Sequence, residues 1–367
     1  MIQKYSRKIL LATLCAASVA LSSCGGGGSM MFRGDAARTG QMPTDGPTAL
    51  NTLAWKYVLP DKAYSSPVAG DKEVYLGCND GYLYAVDAAS GLEKWKFRTG
   101  NNVESTPALA DGVLYVGSWD NHVYAIDVQT RAERWKFRTT GPVSSSPVVA
   151  DGVVYAGSED GNMYALDSQT GYEKWRFNAG GAIYSSPALF GENIFFGTLT
   201  GDLFAVNIKS GQEYWRYHTR HKIHSSPAVD ERQVYFGSDD KHVYAINIKT
   251  GQMTWDKKTA GEVLSSPAID GDNLYIGSKD GYVYAYDLGT GSRRWEFRTE
   301  GPVFASPVLA SNTVYIGSSD HYLYALDKQS GNLRWKYKTE DKIYSSPSVK
   351  DGKIFFNSVD GSLYAVQ

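Results

Sequence analysis

The chain is short of cysteine, of excess positive charge and of long apolar runs, and each shortage removes a class of protein. Three cysteines in 367 residues exclude a disulfide-stapled scaffold. None of them lies beside another cysteine or in a C-x-x-C-H haem-attachment motif. With 37 basic residues against 39 acidic ones, the chain lacks the basic excess of a nucleic-acid binder, so no nucleic-acid partner is expected. The apolar stretch from Ile9 to Leu21 covers 13 residues, fewer than the ~20 that a membrane-crossing helix needs. Beyond the first 24 residues no run shows helical periodicity.

What the start does contain is an export pattern. Lys4, Arg7 and Lys8 precede the apolar stretch, which ends in Leu21-Ser22-Ser23-Cys24. That order is a signal peptide's, and its end resembles the lipobox of bacterial lipoproteins. The resemblance implies cleavage after residue 23, lipid on Cys24 and a membrane partner reached through that anchor. An ordinary secretory signal with an incidental cysteine is the competing account. Gly25 to Gly28 and Ser29 follow as a flexible tether. Gly25 after the cysteine resembles the outer-membrane sorting pattern. Cleavage removes three basic residues, leaving 34 against 39 acidic ones and a net charge near −5. Cys15 leaves with the signal, so Cys78 is the one thiol of the mature domain. Seven equivalent positions carry Ser or Thr, which assigns Cys78 a small-residue role.

The remainder is abundant in rings and glycine: 26 Tyr, 13 Phe, 9 Trp and 38 Gly. Trp55, Trp95, Trp135, Trp175, Trp215, Trp255, Trp295 and Trp335 recur every 40 residues without a slip. Pro67 and its seven counterparts keep the same interval. A fixed period of this size with only strand and turn signals reads as propeller blades. In the third repeat the strands are expected near Ser145 to Val149, Val153 to Gly157, Asn162 to Asp167 and Glu173 to Phe177, named A to D from the axis outward. The proline is expected on strand A, at the inner edge, where a missing N–H costs no ladder bond. The last repeat stops after its third strand at Gln367, whereas Thr52 to Tyr57 reads as a fourth strand without a blade. The expected fold is therefore an all-β, eight-bladed β-propeller closed by its N-terminal strand. The domains are residues 1–23 as signal peptide, 24–51 as anchor, tether and N-terminal segment, and 52–367 as propeller.

The recurring phrase, Ala165 to Trp175 for instance, has a physical reading. Alanine leaves room for a large ring, Asp167 bonds turn amides, and Thr170-Gly171 lets the chain reverse. The tryptophans are expected between blades as structural docking residues. The pattern Ala-x-Asp-x-x-Thr/Ser-Gly-x-x-x-Trp resembles the tryptophan-docking motif of the PQQ-repeat (quinoprotein dehydrogenase-like) propellers. That superfamily holds quinoprotein alcohol dehydrogenases and BamB-like outer-membrane lipoproteins, and Met31 to Asp35 with Arg38-Thr39-Gly40 is similar to the segment that precedes such propellers. The resemblance implies a propeller over residues 52–367. Arg131 in place of the turn glycine and Asn357 in place of a strand glycine read as local drift. Arg33-Gly34-Asp35 matches an adhesion tripeptide by composition alone.

One face should carry the regular A–B and C–D turns, and the other the B–C and D–A loops, where the repeats differ. Before strand A stand Tyr64, Glu104, Ser144, Tyr184, His224, Leu264, Phe304 and Tyr344; the B–C loops carry Asn79, Trp119, Glu159, Leu199, Asp239, Lys279, Ser319 and Val359. The candidate binding face is Tyr64, Glu104, Trp119, Tyr184, His221, His224, His242, Phe304 and Tyr344, since exposed aromatics on a rigid scaffold suit recognition. Neutral drift of loops is the alternative. His218, His221, His224 and His242 could meet as a weak metal site, though no metal is expected.

Three functions follow. The resemblance favours a lipid-anchored, non-catalytic scaffold in the outer membrane, monomeric, with envelope proteins such as the barrel-assembly machinery as partners and with no cofactor. A surface ligand- or glycan-binding propeller is the second. A PQQ-dependent dehydrogenase holding PQQ with calcium is the third, and no catalytic residue can be read from spacing.

Overall fold

The computed structural model describes residues 30–50 and 52–367; the signal peptide, Cys24 and the glycine tether lie outside the described residues. Thirty-two short strands form eight four-stranded antiparallel sheets, with no helix among the described residues. These are the eight blades of a β-propeller. In the third blade strands A to D are Val148–Ala150, Val153–Gly157, Asn162–Asp167 and Glu173–Asn178. Strands B and C are buried on both faces, because each blade is sandwiched between two others, whereas strand D alternates between half-buried and exposed.

Strand A is shorter than the sequence suggests, two or three residues in every blade. The proline stands just before the strand, not on it: Pro147 precedes Val148, and the extended approach from Ser145 lies outside the ladder. An imino nitrogen cannot donate, so pairing begins only after it.

The ring closes as expected. Leu53–Val58 pairs with Ser362–Val366, so the eighth blade takes three strands from one end of the chain and its outermost from the other. No blade edge is left open at the seam.

Each tryptophan lies opposite the repeated alanine, as Trp175 does Ala165, and a bulge follows immediately in the ladder. The extra residue turns strand D, and the indole leans over the next blade. Trp175 Nε1 donates to Ile208 O at 2.8 Å, and Trp135, Trp215, Trp255, Trp295 and Trp55 make the same bond to Ser168, Ile248, Leu288, Lys328 and Ala88. The turn glycine lies flat beneath the ring; a Cβ on Gly211 would stand 2.8 Å from Trp175 Cδ2. Two blades depart from this. Trp95 faces Arg131 in the position of that glycine, held at φ +63°, and its indole turns to Glu73 of its own blade. Trp335 uses the N-terminal segment instead of a turn, donating to Pro47 O. Arg131 is thus more than drift, because the blade junction beside it is built differently.

Candidate functional site

Residues 30–47 make the two ends of the channel unlike. Leu109 of strand A exchanges two backbone bonds with Met30, and the N–H groups of Leu189, Val229, Ile269 and Leu309 donate to Ala36, Ala37, Thr39 and Gly40. These are inner-edge groups of blades 2, 4, 5, 6 and 7, next to the A–B turns, so the segment lies across the channel at the turn face. Arg38 is wholly buried, and its guanidinium donates to Pro187 O, Ser146 O and Pro147 O at 3.0 Å and to Phe32 O. Arg33, 2% exposed, donates to Pro267 O. Burial lowers both to about 9, which leaves them charged at neutral pH. For Arg38 the charge-assisted bonds to the carbonyl ring offset much of that desolvation, whereas Arg33 Nε and Nη1 have no acceptor among the described residues. Arg33 is therefore not displayed as an adhesion residue.

One step inward runs a closed belt of hydroxyls. The N–H of Ser66 donates to Thr106 Oγ1, that of Thr106 to Ser146 Oγ, and so on through Ser186, Ser226, Ser266 and Ser306 to Ser346, whose N–H donates to Ser66 Oγ. All eight links measure 2.8–3.1 Å. The sequence signal was present in the Ser/Thr before every proline, but its role was not read.

At the opposite end the mouth residues stand on braced loops. Asp160 accepts from Tyr164 Oη at 2.7 Å and from the N–H of Thr140 in the adjoining D–A loop at 2.9 Å, an arrangement repeated by Asp320 with Tyr324 and Glu300. Ser158 Oγ donates to Gly141 O and Pro142 O; in the first blade the buried Cys78 thiol takes this place, reaching Asp61 O and Lys62 O at 3.4 and 3.5 Å. Burial pushes that thiol up to about 12, which makes it a poor nucleophile.

The mouth divides into two arcs. Phe304 meets Tyr344 edge-on at 5.1 Å, and Tyr344 stacks with Tyr64 at 6.2 Å; Tyr64 is 38% exposed. On the other arc Trp119 Nε1 donates to Ser144 Oγ at 2.9 Å, and that hydroxyl donates to Glu159 Oε1 at 2.7 Å. Burial, then the charge of Glu159, raises Glu104 to about 7. Burial first, then Glu159 and Glu104, raises the Tyr184 hydroxyl to about 12. Tyr184 also packs edge-on against His224 at 5.9 Å. Between the arcs Lys279 pairs with Glu262 and lies over the Phe304 ring.

The four candidate imidazoles do not converge. His218 pairs with Asp202 at 2.9 Å and His242 with Asp256 at 2.6 Å, while His221 and His224 face Asp239 at 3.9 and 3.0 Å. His221 and His224 therefore belong to the mouth and His218 and His242 to its rim. Sequence spacing missed these carboxylates because each comes from a separate loop or strand.

Comparison with known proteins agrees with this architecture. A family profile described as "Beta-alanine-activating enzyme, beta-propeller" matches residues 188–367. BamB from Moraxella catarrhalis superposes with a TM-score of 0.74 at 17% identity, over 86% of this chain and 99% of that one. A quinohemoprotein alcohol dehydrogenase from Comamonas testosteroni gives 0.80 at 15%, over 92% and 80% of the two chains. The chain has the fold of the PQQ-repeat propellers. A europium-containing methanol dehydrogenase is also similar to it, with a TM-score of 0.76 at 15% identity over 92% of this chain and 89% of that one. No curated protein sequence matches the chain. At these identities the likeness is one of fold, and one PQQ-repeat propeller can host several functions.

A calcium-bound quinone would need several oxygen ligands converging at the mouth. Among the described residues no group of three or more His, Cys, Asp or Glu is arranged to hold a metal. Glu104 stands in the mouth series with no other acidic residue, and Glu159 Oε1 already accepts from Ser144. The residues present do not fit that cofactor.

Proposed function

We propose that the chain is a lipid-anchored, non-catalytic propeller of the cell envelope, tethered to the outer membrane through Cys24, that docks envelope proteins on its loop face. The observation that carries this reading is the inequality of the two faces. Residues 30–47 cross the channel at the turn face, whereas the loop face presents Tyr64, Trp119, Tyr184 and Tyr344 on braced loops. Rigid, part-exposed aromatics are the residue types that dominate protein recognition. The likeness in fold to BamB adds barrel-assembly components as the partners to test first.

The same anchor sets an orientation. Cys24 stands six positions before Met30, and six residues reach at most ~22 Å. Met30 is bound to Leu109 beside an A–B turn, so an anchored molecule turns that face to the bilayer and the loop face away from it. Crosslinking the full chain in its native membrane tests the reading. Barrel-assembly components should be captured by the wild type and lost in a Trp119→Ala/Tyr184→Ala variant. If no envelope protein is enriched, the scaffold reading fails. The stacked Tyr64 and Tyr344 rings favour a second reading, a glycan or other small ligand lying on them; binding to a glycan array that is lost in Tyr64→Ala would select it.

A further inference from the structure

We propose that the turn face rests on the phospholipid surface, with Leu92, Tyr172, Phe190 and Tyr214 seated between the headgroups and the upper acyl chains. This rests on the reading of the chain as anchored through Cys24, and adds a non-covalent contact to that anchor. It follows from where large apolar side chains are left exposed. Among the described residues there are nine of them, and seven stand at the turn-face end of their blades. Leu92 and Tyr172 lie in C–D turns, and Phe190 ends a strand A beside its A–B turn. Leu53, Tyr214, Met253 and Leu333 are first or second residues of a strand D, which starts at this face. The other two, Val58 and Tyr64, lie at the loop-face end.

Apolar side chains exposed singly are ordinary on a soluble protein. These seven come from six of the eight blades and so form a girdle round one face of the ring. Tyr172 is 77% exposed, Leu92 68% and Tyr214 57%. The position of the tether decides what the girdle meets. Met30, six positions after Cys24, is bonded to Leu109 on the inner edge of blade 2 at this same face. Six residues reach at most ~22 Å, so lipid on Cys24 keeps the girdle close to the bilayer. A tyrosine, apolar in its ring and polar at its tip, suits the boundary between headgroups and chains, and leucine and phenylalanine suit its apolar side. Phe190 and Tyr214 line one hollow between blades 4 and 5 with Lys249, Glu192, Glu213 and Glu231. Carboxylates outnumber the ammonium there, so the contact is apolar and does not select anionic lipid.

The test uses the full chain purified from its native membrane and placed in phosphatidylcholine vesicles. A nitroxide is attached to one introduced cysteine at a time: Leu92→Cys, Tyr172→Cys or Tyr214→Cys on the turn face, and Tyr64→Cys on the loop face. Cys78 is buried and its thiol is pushed up to about 12, so it stays unlabelled. The turn-face labels should collide with lipid-dissolved oxygen and be shielded from an aqueous nickel chelate, and the Tyr64 label should show the reverse. Leu92→Ser/Tyr172→Ser/Tyr214→Ser should pass between vesicles roughly 10-fold or more faster than the wild type, the scale of withdrawing one large apolar side chain from water-free surroundings. Its melting midpoint should be unchanged, because the three side chains are exposed. Equal chelate access on both faces, a transfer rate equal to that of the wild type, or retention that requires phosphatidylglycerol would overturn the proposal. The mass of the Cys24 peptide separates the two readings. Lipid on Cys24 with chelate-open turn-face labels leaves the anchor standing and removes the contact; an unmodified Cys24 with the labels still shielded removes the anchor and keeps the contact.

Discussion

Trp335 of the seventh blade donates its indole N–H to the backbone oxygen of Pro47, 3.1 Å away and 288 positions earlier. Elsewhere, Trp95 apart, the acceptor is a carbonyl in the next blade's C–D turn, such as Ile208 for Trp175. The eighth blade has no such turn, since its third and fourth strands come from opposite ends of the chain. Pro47 supplies the missing oxygen and also accepts from Tyr315 Oη at 2.9 Å.

Gly46 makes this contact possible, because a Cβ there would stand 2.5 Å from Tyr315 Oη. Gly46→Val should cost roughly 1–3 kcal/mol through overpacking. Hydrogen exchange should rise at the junction of blades 7 and 8 and stay unchanged in blades 3 and 4. A melting midpoint equal to that of the wild type would remove Pro47 from the list of structural contacts.

The tryptophans should not be equal. Trp175→Ala is expected to cost ~3–5 kcal/mol, since its ring covers Gly211 and its N–H is bonded across the junction. Trp95→Ala should cost less, because its N–H stays on its own blade with Glu73. Arg131→Gly should stabilise by roughly 0.5–1 kcal/mol by relieving the positive φ. Urea titrations of the three variants check the order; equal losses for Trp95 and Trp175 would contradict it.

The seam between the eighth and first blades has its own pairing. Elsewhere a strand-B glycine lies against a branched residue, as Gly77 against Val103 and Gly317 against Ile343; here Asn357 meets Ala63. Asn357→Gly should leave a hole, Ala63→Val should clash, and the double variant should recover most of both losses. A double-mutant cycle is expected to give at least about 1 kcal/mol of coupling. Additive effects would show the two sites to be independent.

Glu104 sets a pH dependence. Its folded value, about 7, lies above the ordinary carboxyl value near 4.5, so the folded protein holds an extra proton between the two. Stability should therefore fall as pH rises from 4.5 through 7 and level off above. Glu104→Gln should be about 1–2 kcal/mol more stable than the wild type at pH 8.5, after allowance for solvent screening, and equal to it at pH 4. Thermal melts at the two pH values measure this, and a Gln variant with no advantage at pH 8.5 would refute it.

The blades and their closure were legible because they depend on side chains that must recur: a proline, an alanine and a tryptophan every 40 residues. The channel was not. Residues 30–47 have no period, and they engage the ring through its backbone N–H groups and carbonyls, which every sequence possesses. The site was legible in position and illegible in pairing. Spacing placed Trp119, Ser144 and Glu159 on one face, but the hydrogen bonds that join them are seen only in the structure. Asn357 looked like drift because its compensation, Ala63, lies 294 positions away.

The segment that crosses the channel has a consequence for the order of assembly. Residues 30–47 and Leu53–Val58 are synthesised first, yet their partners include Leu309, Val349 and Ser362–Val366. Leu53–Val58 must wait for Ser362–Val366 before it has a strand to pair with, and the channel segment is completed only as the later blades supply their inner edges. Seven blades take all four strands from consecutive chain and can pair as they emerge, whereas the eighth waits for Ser362–Val366 to meet Leu53–Val58. A chain that stops short of Ser362–Val366 therefore leaves Leu53–Val58 without its pairing strand, a bare edge of the kind that invites association with another chain.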